Sequence, residues 1–415
     1  MGKNHEIFFA EPMKFGIIGA GPAGSYCATL LCRAGLETIL FDRHGAWEKP
    51  CGGGITPKAI ARYPFLRDCQ AEKKEIFRLE FLSADNHLAC VSLRNPLLLY
   101  SRSVLNSLLL EQALAAGVEF YPKRVLDFRQ QAGKWELETE TRKHQVDFLV
   151  GADGINSLVR SRLGTPFSSD DLVLTCGYRI PLRGEDRILI KFFKNFPGYL
   201  WVFPRHESLS VGIGAKLSRH NAKELKDYLH QFLENLHGAG FLHPLPLKAP
   251  RSDSNSQVVE GGEFYGALIP SLRAKTLRSN RLMGPGWALL GDAAGFADPI
   301  TSEGIYYALR SGELLAQSLI ARTPADYPAA CKHDFLRDFI HAAEIFESFY
   351  FGKMFGMDFL SVMVRTVSRS QALRSTMNAL ISGGQNYETL KESLLRQFPR
   401  VAWQLAASFL AYSEP

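Results

Sequence analysis

An unbroken apolar run at residues 14–19, Lys-Phe-Gly-Ile-Ile-Gly, shows neither the alternation of a half-solvated strand nor the spacing of an amphipathic helix. It predicts a strand covered on both faces, as in a parallel sheet. Glycines follow, residues 25–34 have helical composition, and a second buried strand is predicted at 37–41, ending at Asp42. The chain therefore opens as a βαβ unit. A helix over residues 102–116 precedes strands near 118–121, 124–129, 134–139 and 145–150, and Gly133 between two alternating runs marks a hairpin. From residue 173 strand follows strand, at 173–180, 187–193, 199–203 and 209–215. That pattern predicts an antiparallel sheet inserted into an α/β domain. Ala288-Leu-Leu-Gly291 returns to a buried strand, and residues 302–320 return to helical spacing. Residues 326–415 read as a helical region rich in Phe and Met, among them Phe346, Phe349, Phe351, Met354, Phe355, Met357, Phe359 and Met363. The division expected is a discontinuous nucleotide-binding domain (1–75, 96–166 and 276–325), a sheet domain (76–95 and 167–275) and this C-terminal region.

At 415 residues the chain has room for two or three domains of ~100–200 residues each. Its 46% hydrophobic and 22% charged residues place it among globular rather than disordered chains. The 48 basic residues outnumber the 42 acidic ones only slightly and without clustering, so an anionic ligand or membrane surface is allowed and no nucleic-acid partner is expected. Seven cysteines, at 27, 32, 51, 69, 90, 176 and 331, form no CxxC pair, which predicts reduced thiols in the cytoplasm and no metal site. Glu6, Glu11 and Pro12 interrupt the first thirteen residues, so no signal peptide is expected, and no apolar run is long enough to span a bilayer. Lys353, Arg365, Arg369 and Arg374 among the C-terminal apolar residues leave room for peripheral contact with the inner face of the membrane, although amphipathic helices packed on their own domain are the simpler reading.

Gly19-Ala20-Gly21-Pro22-Ala23-Gly24 is a GxGxxG set between a predicted strand and a predicted helix. Glycine is needed there for a tight turn, for close approach of backbone to a pyrophosphate, and for packing the helix on the strand. The phosphate then meets the positive end of the helix. Asp42, followed by Arg43, closes the second strand where a carboxylate can hold an adenosine ribose. The motif by itself does not separate FAD from NAD.

Two further segments do. Asp153-Gly154 follows the apolar Phe148-Leu-Val-Gly151, and Gly291-Asp292 follows Ala288-Leu-Leu290. With GxGxxG they resemble, in this order, the three FAD motifs of the flavoprotein hydroxylase superfamily. The resemblance implies FAD bound by Gly19, Gly21, Pro22, Ala23, Gly24, Asp42, Arg43, Val125, Asp153, Gly154 and Gly291. It also implies that Asp292 bonds the ribityl chain and that Arg102 approaches the pyrophosphate or the ribityl chain. The polar turn from Asp298 to Ile305, through Pro299 and Gly304, opens the predicted helix at 302–320. Either it aims a helix N-terminus at the flavin N1–C2=O edge, or it is an ordinary helix start capped by Thr301 or Ser302.

Lys49-Pro50-Cys51-Gly52-Gly53-Gly54 narrows the resemblance, because three glycines in a row carry a backbone-entropy cost that close approach to a flat ligand would justify. This segment is similar to the Pro-Cys-Gly-Gly-Gly stretch of the geranylgeranyl reductase family. Gly198-Tyr-Leu-Trp201-Val-Phe203-Pro204 with Val211-Gly-Ile-Gly214 resembles a second motif of that family, and residues 381–387 are loosely similar to a third. The resemblance implies a fold like that of p-hydroxybenzoate hydroxylase: a Rossmann-type FAD domain, an inserted antiparallel-sheet substrate domain and a helical C-terminal region. It implies reduction of carbon–carbon double bonds in an isoprenoid lipid, by hydride from the reduced flavin N5 and a proton from elsewhere. Such a site must be dry and apolar. Phe196, Tyr199, Trp201 and Phe203 are candidates for its wall and the C-terminal Phe and Met residues for its roof, with plain core packing as the alternative for each.

Cys51, Gly52 and Gly53 are the candidate catalytic segment, and Cys51 donates a proton, positions flavin or substrate, or is inert packing. A low-pKa thiol there needs a cation, and Lys49 is the local candidate. Tyr306 and Tyr307 are alternative proton sources. The chain has no second GxGxxG, so the electron donor, NAD(P)H or ferredoxin, is left open. An FAD monooxygenase acting on an aromatic compound would share the three FAD motifs, and a flavin-holding protein without turnover would too. A halogenase would carry Trp-x-Trp-x-Ile-Pro, to which the nearest segment here is Trp201-Val-Phe203-Pro204.

Overall fold

A computed structural model of the chain describes residues 13–238, 259, 261–354, 357–383 and 386–388. Phe355, the C-terminal region beyond residue 388, and all but the last residue of the stretch considered for a signal peptide lie outside the described residues.

The apolar runs of the βαβ opening assemble as predicted. Lys14–Ile18 lies at the centre of a six-stranded sheet between Glu37–Phe41 and Phe148–Gly151, parallel to both. Trp287–Leu289 continues the parallel order on one side and Glu119–Tyr121 on the other. Ile17, Leu40, Leu149 and Leu289 have no solvent exposure, which is why these strands read as continuous rather than alternating. The helix Pro22–Arg33 returns across this sheet and packs on Ile305–Ile320. Glycine makes the crossing close: a Cβ on Gly312 would lie 2.6 Å from the Ala23 carbonyl oxygen, and one on Gly291 would lie 3.1 Å from the Ala23 Cβ.

The second sheet has eight strands in the order Glu263–Pro270, Leu172–Ile180, Leu209–Lys216, Gly198–Pro204, Arg187–Lys191, Lys74–Leu82, Leu88–Leu99 and Gly54–Ile55. It corrects the expectation of a purely antiparallel sheet, since Arg187–Lys191 runs parallel to Lys74–Leu82. The two strands are separated in sequence by a long excursion through the other sheet, so no hairpin constrains their direction.

Residues 145–150, expected as one strand, are two. Lys143–Val146 closes a three-stranded meander and Phe148–Gly151 enters the parallel sheet. Asp147 marks the switch, its carboxylate accepting from the Lys14 N–H at 2.7 Å while its own N–H donates to the Lys14 carbonyl at 2.8 Å.

Of the C-terminal region, Arg337–Phe351, Phe359–Arg369 and Gln371–Ile381 are helices as expected, but Lys353–Met354 and Met357–Asp358 pair as a short antiparallel ribbon. Phe346, Leu360, Val364 and Leu373 share one core with Ile76, Leu79, Phe81 and Phe192 of the large sheet. Among the described residues no helix is long and apolar enough to cross a membrane.

Candidate active site

The GxGxxG turn forms as its glycines require. Gly19 has φ +105°, and a Cβ there would lie 2.3 Å from the Ala152 carbonyl oxygen. Pro22 occupies the first turn of its helix, whose N-cap Gly21 offers no side-chain acceptor, so the leading N–H groups are left for an anion. Gly24 has a packing reason of its own. A Cβ there would lie 1.9 Å from the Gly19 carbonyl oxygen and 3.1 Å from the Ala152 Cβ, so glycine serves packing of helix on strand. Asp42 accepts from the Ala20 N–H and the His44 N–H, each at 2.8 Å, which holds the two ends of the turn together. Arg43 beside it donates to the His44 ring at 2.7 Å. Arg102 opens the helix Arg102–Ala115 and is 6% exposed, yet its Nε has no partner. A buried guanidinium with an unmet donor, lining the same cavity as the uncapped start of the Pro22–Arg33 helix, fits a pyrophosphate.

The cradle continues into a cavity of about 1820 Å³. Single small-molecule pockets run to ~300–1,000 Å³, so this one has space for a dinucleotide and a second ligand. Its far arm is apolar, passing between Leu79, Phe81, Ile190 and Phe192 on the large sheet and Met363, Val367 and Met377 on the C-terminal helices.

At the junction sits the cysteine–glycine turn, and its glycines have different reasons. A Cβ on Gly52 would lie 2.3 Å from the Phe203 ring; Gly53 has φ +85° and would meet the Tyr100 carbonyl oxygen at 1.9 Å; Gly54 has 3.5 Å of clearance. Phe203 is therefore the platform beneath the turn as well as a lining residue. Arg205, 3% exposed, donates to the carbonyls of Cys51 and Gly52 and to Glu48. The Ser210 hydroxyl donates to the Cys51 carbonyl at 3.2 Å. Glu48 in turn accepts from the backbone N–H groups of Arg102 (3.2 Å) and Ser103 (2.9 Å), capping that helix from outside. Burial alone would raise the Glu48 carboxyl, but Arg205 and the serine donors outweigh it and bring it down to about 2. Arg205 and Glu48 thus fasten the Cys51 turn to the start of the Arg102 helix.

Lys49 does not serve the Cys51 thiol as expected. It pairs with Asp292 at 2.5 Å. Burial disfavours charge on Asp292, and the ammonium outweighs that effect, holding the carboxyl below its usual range. The Cys51 sulfur instead accepts from the Gly53 N–H at 3.3 Å.

The loop ahead of Ile305–Ile320 is held on three successive carbonyls from three places: Ser271 bonds the Pro299 oxygen, Tyr350 the Ile300 oxygen and Tyr199 the Thr301 oxygen. Asp298 accepts from the Ile300 and Thr301 N–H groups at 2.8 Å each and from the Tyr387 hydroxyl at 3.0 Å. The helix begins at Gly304 with no side-chain cap, so neither Thr301 nor Ser302 caps it and its leading N–H groups stay available.

Of the cofactor, catalytic-segment and wall residues expected from the sequence, all but Gly24 and Phe196 line this one cavity, including Val125, Asp153, Gly154, Pro299, Gly304, Ile305, Tyr199 and Trp201, and of the two alternative proton sources Tyr307 lines it and Tyr306 does not. Phe196, 1% exposed, belongs instead to a separate core with Phe193 and Tyr228. Of the expected roof residues, Phe346, Phe349, Phe359 and Met363 line it, whereas Phe351 and Met357 do not. Tyr306 and Tyr307 are buried, and burial raises both hydroxyls, Tyr306 to about 12. Glu48, Arg205, Tyr350 and Tyr387 went unpredicted. The only trace of the first two is a charge next to a motif, Glu48 before Lys49-Pro-Cys51 and Arg205 after Phe203-Pro204.

The parallel sheet, the uncapped cradle and the cavity define a flavoprotein that takes FAD, with a fold of the p-hydroxybenzoate hydroxylase type. A family model for an FAD binding domain matches residues 13–179. The chain is 28% identical over 331 residues to a geranylgeranyl diphosphate reductase of Rhodobacter capsulatus, covering 76% of this chain and 77% of that one. It is 25% identical to a digeranylgeranylglycerophospholipid reductase of Thermoplasma volcanium, covering 72% and 76%. The crystal structure of a geranylgeranyl bacteriochlorophyll reductase-like protein from Thermoplasma acidophilum superposes with a TM-score of 0.75 at 20% identity, covering 95% of this chain and 98% of that one. The chain is thus an FAD-binding flavoprotein that is similar over most of its length to geranylgeranyl reductases.

Proposed function

We propose that the protein reduces carbon–carbon double bonds of an isoprenoid lipid, with the alkene lying in the apolar arm of the cavity and the Cys51 turn at its junction with the FAD cradle. The observation that carries this reading is the continuity of a polar, phosphate-suited cradle with an apolar channel in one cavity. Similarity to a geranylgeranyl diphosphate reductase and a digeranylgeranylglycerophospholipid reductase supports the substrate class.

In this reading Gly19, Gly21, Pro22, Ala23 and Arg102 hold the pyrophosphate, Asp42 and Arg43 lie at the ribose end, and Asp292, fixed by Lys49, receives the ribityl hydroxyls. Val125, Asp153, Gly154 and Gly291 close the cradle around the cofactor. Reduced FAD supplies a hydride from N5. The uncapped N–H groups after Gly304, with Pro299 and Ile305, stabilise negative charge at the N1–C2=O edge. Cys51, Gly52 and Gly53 lie against the ring, where the Cys51 thiol is placed to give a proton to the second alkene carbon. Tyr199, Trp201 and Phe203 exclude water from that junction. NAD(P)H or ferredoxin provides the electrons, and contact with the membrane surface at the C-terminal helices would admit the lipid.

The test is anaerobic. Chemically reduced holoenzyme should be reoxidised by a geranylgeranyl lipid, with saturated product formed in proportion. Reoxidation by no isoprenoid, or oxygen use matching hydroxylated product, overturns the reading.

A further inference from the structure

Glu303 is the loop residue that the flavin contacts do not use. It lies in the cavity wall immediately before the uncapped Gly304, and its Oε1 accepts from the Thr56 hydroxyl at 2.8 Å. Thr56 is itself the N-cap of Pro57–Arg62, the helix that follows the cysteine–glycine turn. Glu303 therefore joins the two segments that meet the isoalloxazine ring in the reading above.

Its surroundings are unusual for a carboxylate. From its own loop Asp298 opposes a charge on it; from the Pro57–Arg62 helix Lys58 favours one. Lys58 is also drawn toward aromatic rings, its Nζ lying 4.4 Å from the Tyr306 ring centre and 5.3 Å from that of Tyr307. Asp338, on Arg337–Phe351, faces the same cluster, where its charge bears on Tyr307. Asp298 has its donors already, two backbone N–H groups and Tyr387, whereas the donor to the Glu303 carboxyl is the Thr56 hydroxyl. Burial pushes the Glu303 carboxyl up to about 7, with Thr56 and Lys58 opposing and Asp298 assisting.

We propose that Glu303 is the proton store of the flavin site, taking a proton when FAD is reduced and releasing it when FAD is reoxidised; the inference rests on the flavin position proposed above. Reduction adds negative charge at the N1–C2=O edge beside the loop, and linkage requires that this charge favour the neutral acid. The balance closes. A two-electron donor delivers hydride to FAD, and one proton passes from water to the Glu303 carboxylate. On reoxidation the hydride goes to one alkene carbon, and release of the Glu303 proton restores to the site the one that the other carbon gains.

The test is the midpoint potential of the holoenzyme, measured by spectroelectrochemistry from pH 6 to 9. Each extra proton taken up with the electron pair adds about 30 mV per pH unit. The flavin's own protonation is common to every variant, so the difference between variants isolates Glu303. The wild type should show the steeper slope beginning near pH 7, and Glu303→Gln should lack it. In Lys58→Met, loss of the cation should move the steep range to higher pH, and this arm stands if Glu303→Gln loses FAD. Parallel lines for wild type and Glu303→Gln, or an unmoved range in Lys58→Met, overturn the proposal. Should isoprenoid reoxidation persist while the lines are parallel, the proton store alone is wrong; failure of the wild type to bind FAD would remove both readings.

Discussion

At the scale of single residues, the cysteine–glycine turn shows three identical side chains kept for unlike reasons. Gly53 combines a left-handed φ of +85° with a carbonyl where its Cβ would be, so Gly53→Ala should cost about 2 kcal/mol or more and release flavin. Gly54→Ala, with ordinary clearance, should leave melting temperature and flavin content near those of the wild type. Equal behaviour of the two in thermal melts and flavin absorbance would show that the turn is not built this way. Arg205 is the second residue-scale device. Arg205→Met strands the Glu48 carboxylate and frees two carbonyls, which should cost about 2–3 kcal/mol, and adding Glu48→Gln should recover part of it. Urea unfolding of the single and double variants measures both terms, and strict additivity would mean that the pair is uncoupled.

Elements are joined here by carboxylates reaching across the chain. Glu48 caps Arg102–Ala115 from a different segment, and Asp171 accepts from the Arg273 N–H at 3.0 Å, where Ala274–Ser279 begins. Burial opposes the charge on Asp171 too, but Ser168, Arg273 and Thr276 outweigh it and bring it down to about 2. Unfolded carboxylates titrate near ~4. Each group thus binds a proton more readily unfolded than folded. Its contribution is complete above about pH 5 and is lost as pH falls toward 2, of order 2 kcal/mol per group. Urea midpoints should therefore drop between pH 6 and 3, less steeply in Glu48→Gln; the same slope in both would exclude Glu48 as a source. These links also explain what was illegible at this scale. Residues 145–150 are mostly apolar in sequence, and the pairing of Asp147 with Lys14 marks where they divide between two sheets.

Over the whole molecule, the apolar part of the cavity belongs to no single element. Leu79 and Phe192 come from the large sheet and Met363 and Met377 from the C-terminal helices, and they meet only because the two pack as one core. Met363→Trp should fill that arm, lowering kcat/KM for a long isoprenoid about tenfold or more relative to a short prenyl alcohol while flavin content is unchanged. A parallel loss for both substrates would place the alkene elsewhere. The sequence alone determined the βαβ opening, the FAD motifs and the cysteine–glycine turn, because strand burial, tight turns and close backbone approach are set by residues adjacent in the chain. The tertiary structure alone decided the mixed sheet, the removal of Phe196 from the site, the pairing of Lys49 with Asp292, and the clamps from Arg205, Glu48, Tyr350 and Tyr387. Those contacts join residues tens to hundreds of positions apart, and an isolated charge or tyrosine carries no local mark of which distant carbonyl it will meet.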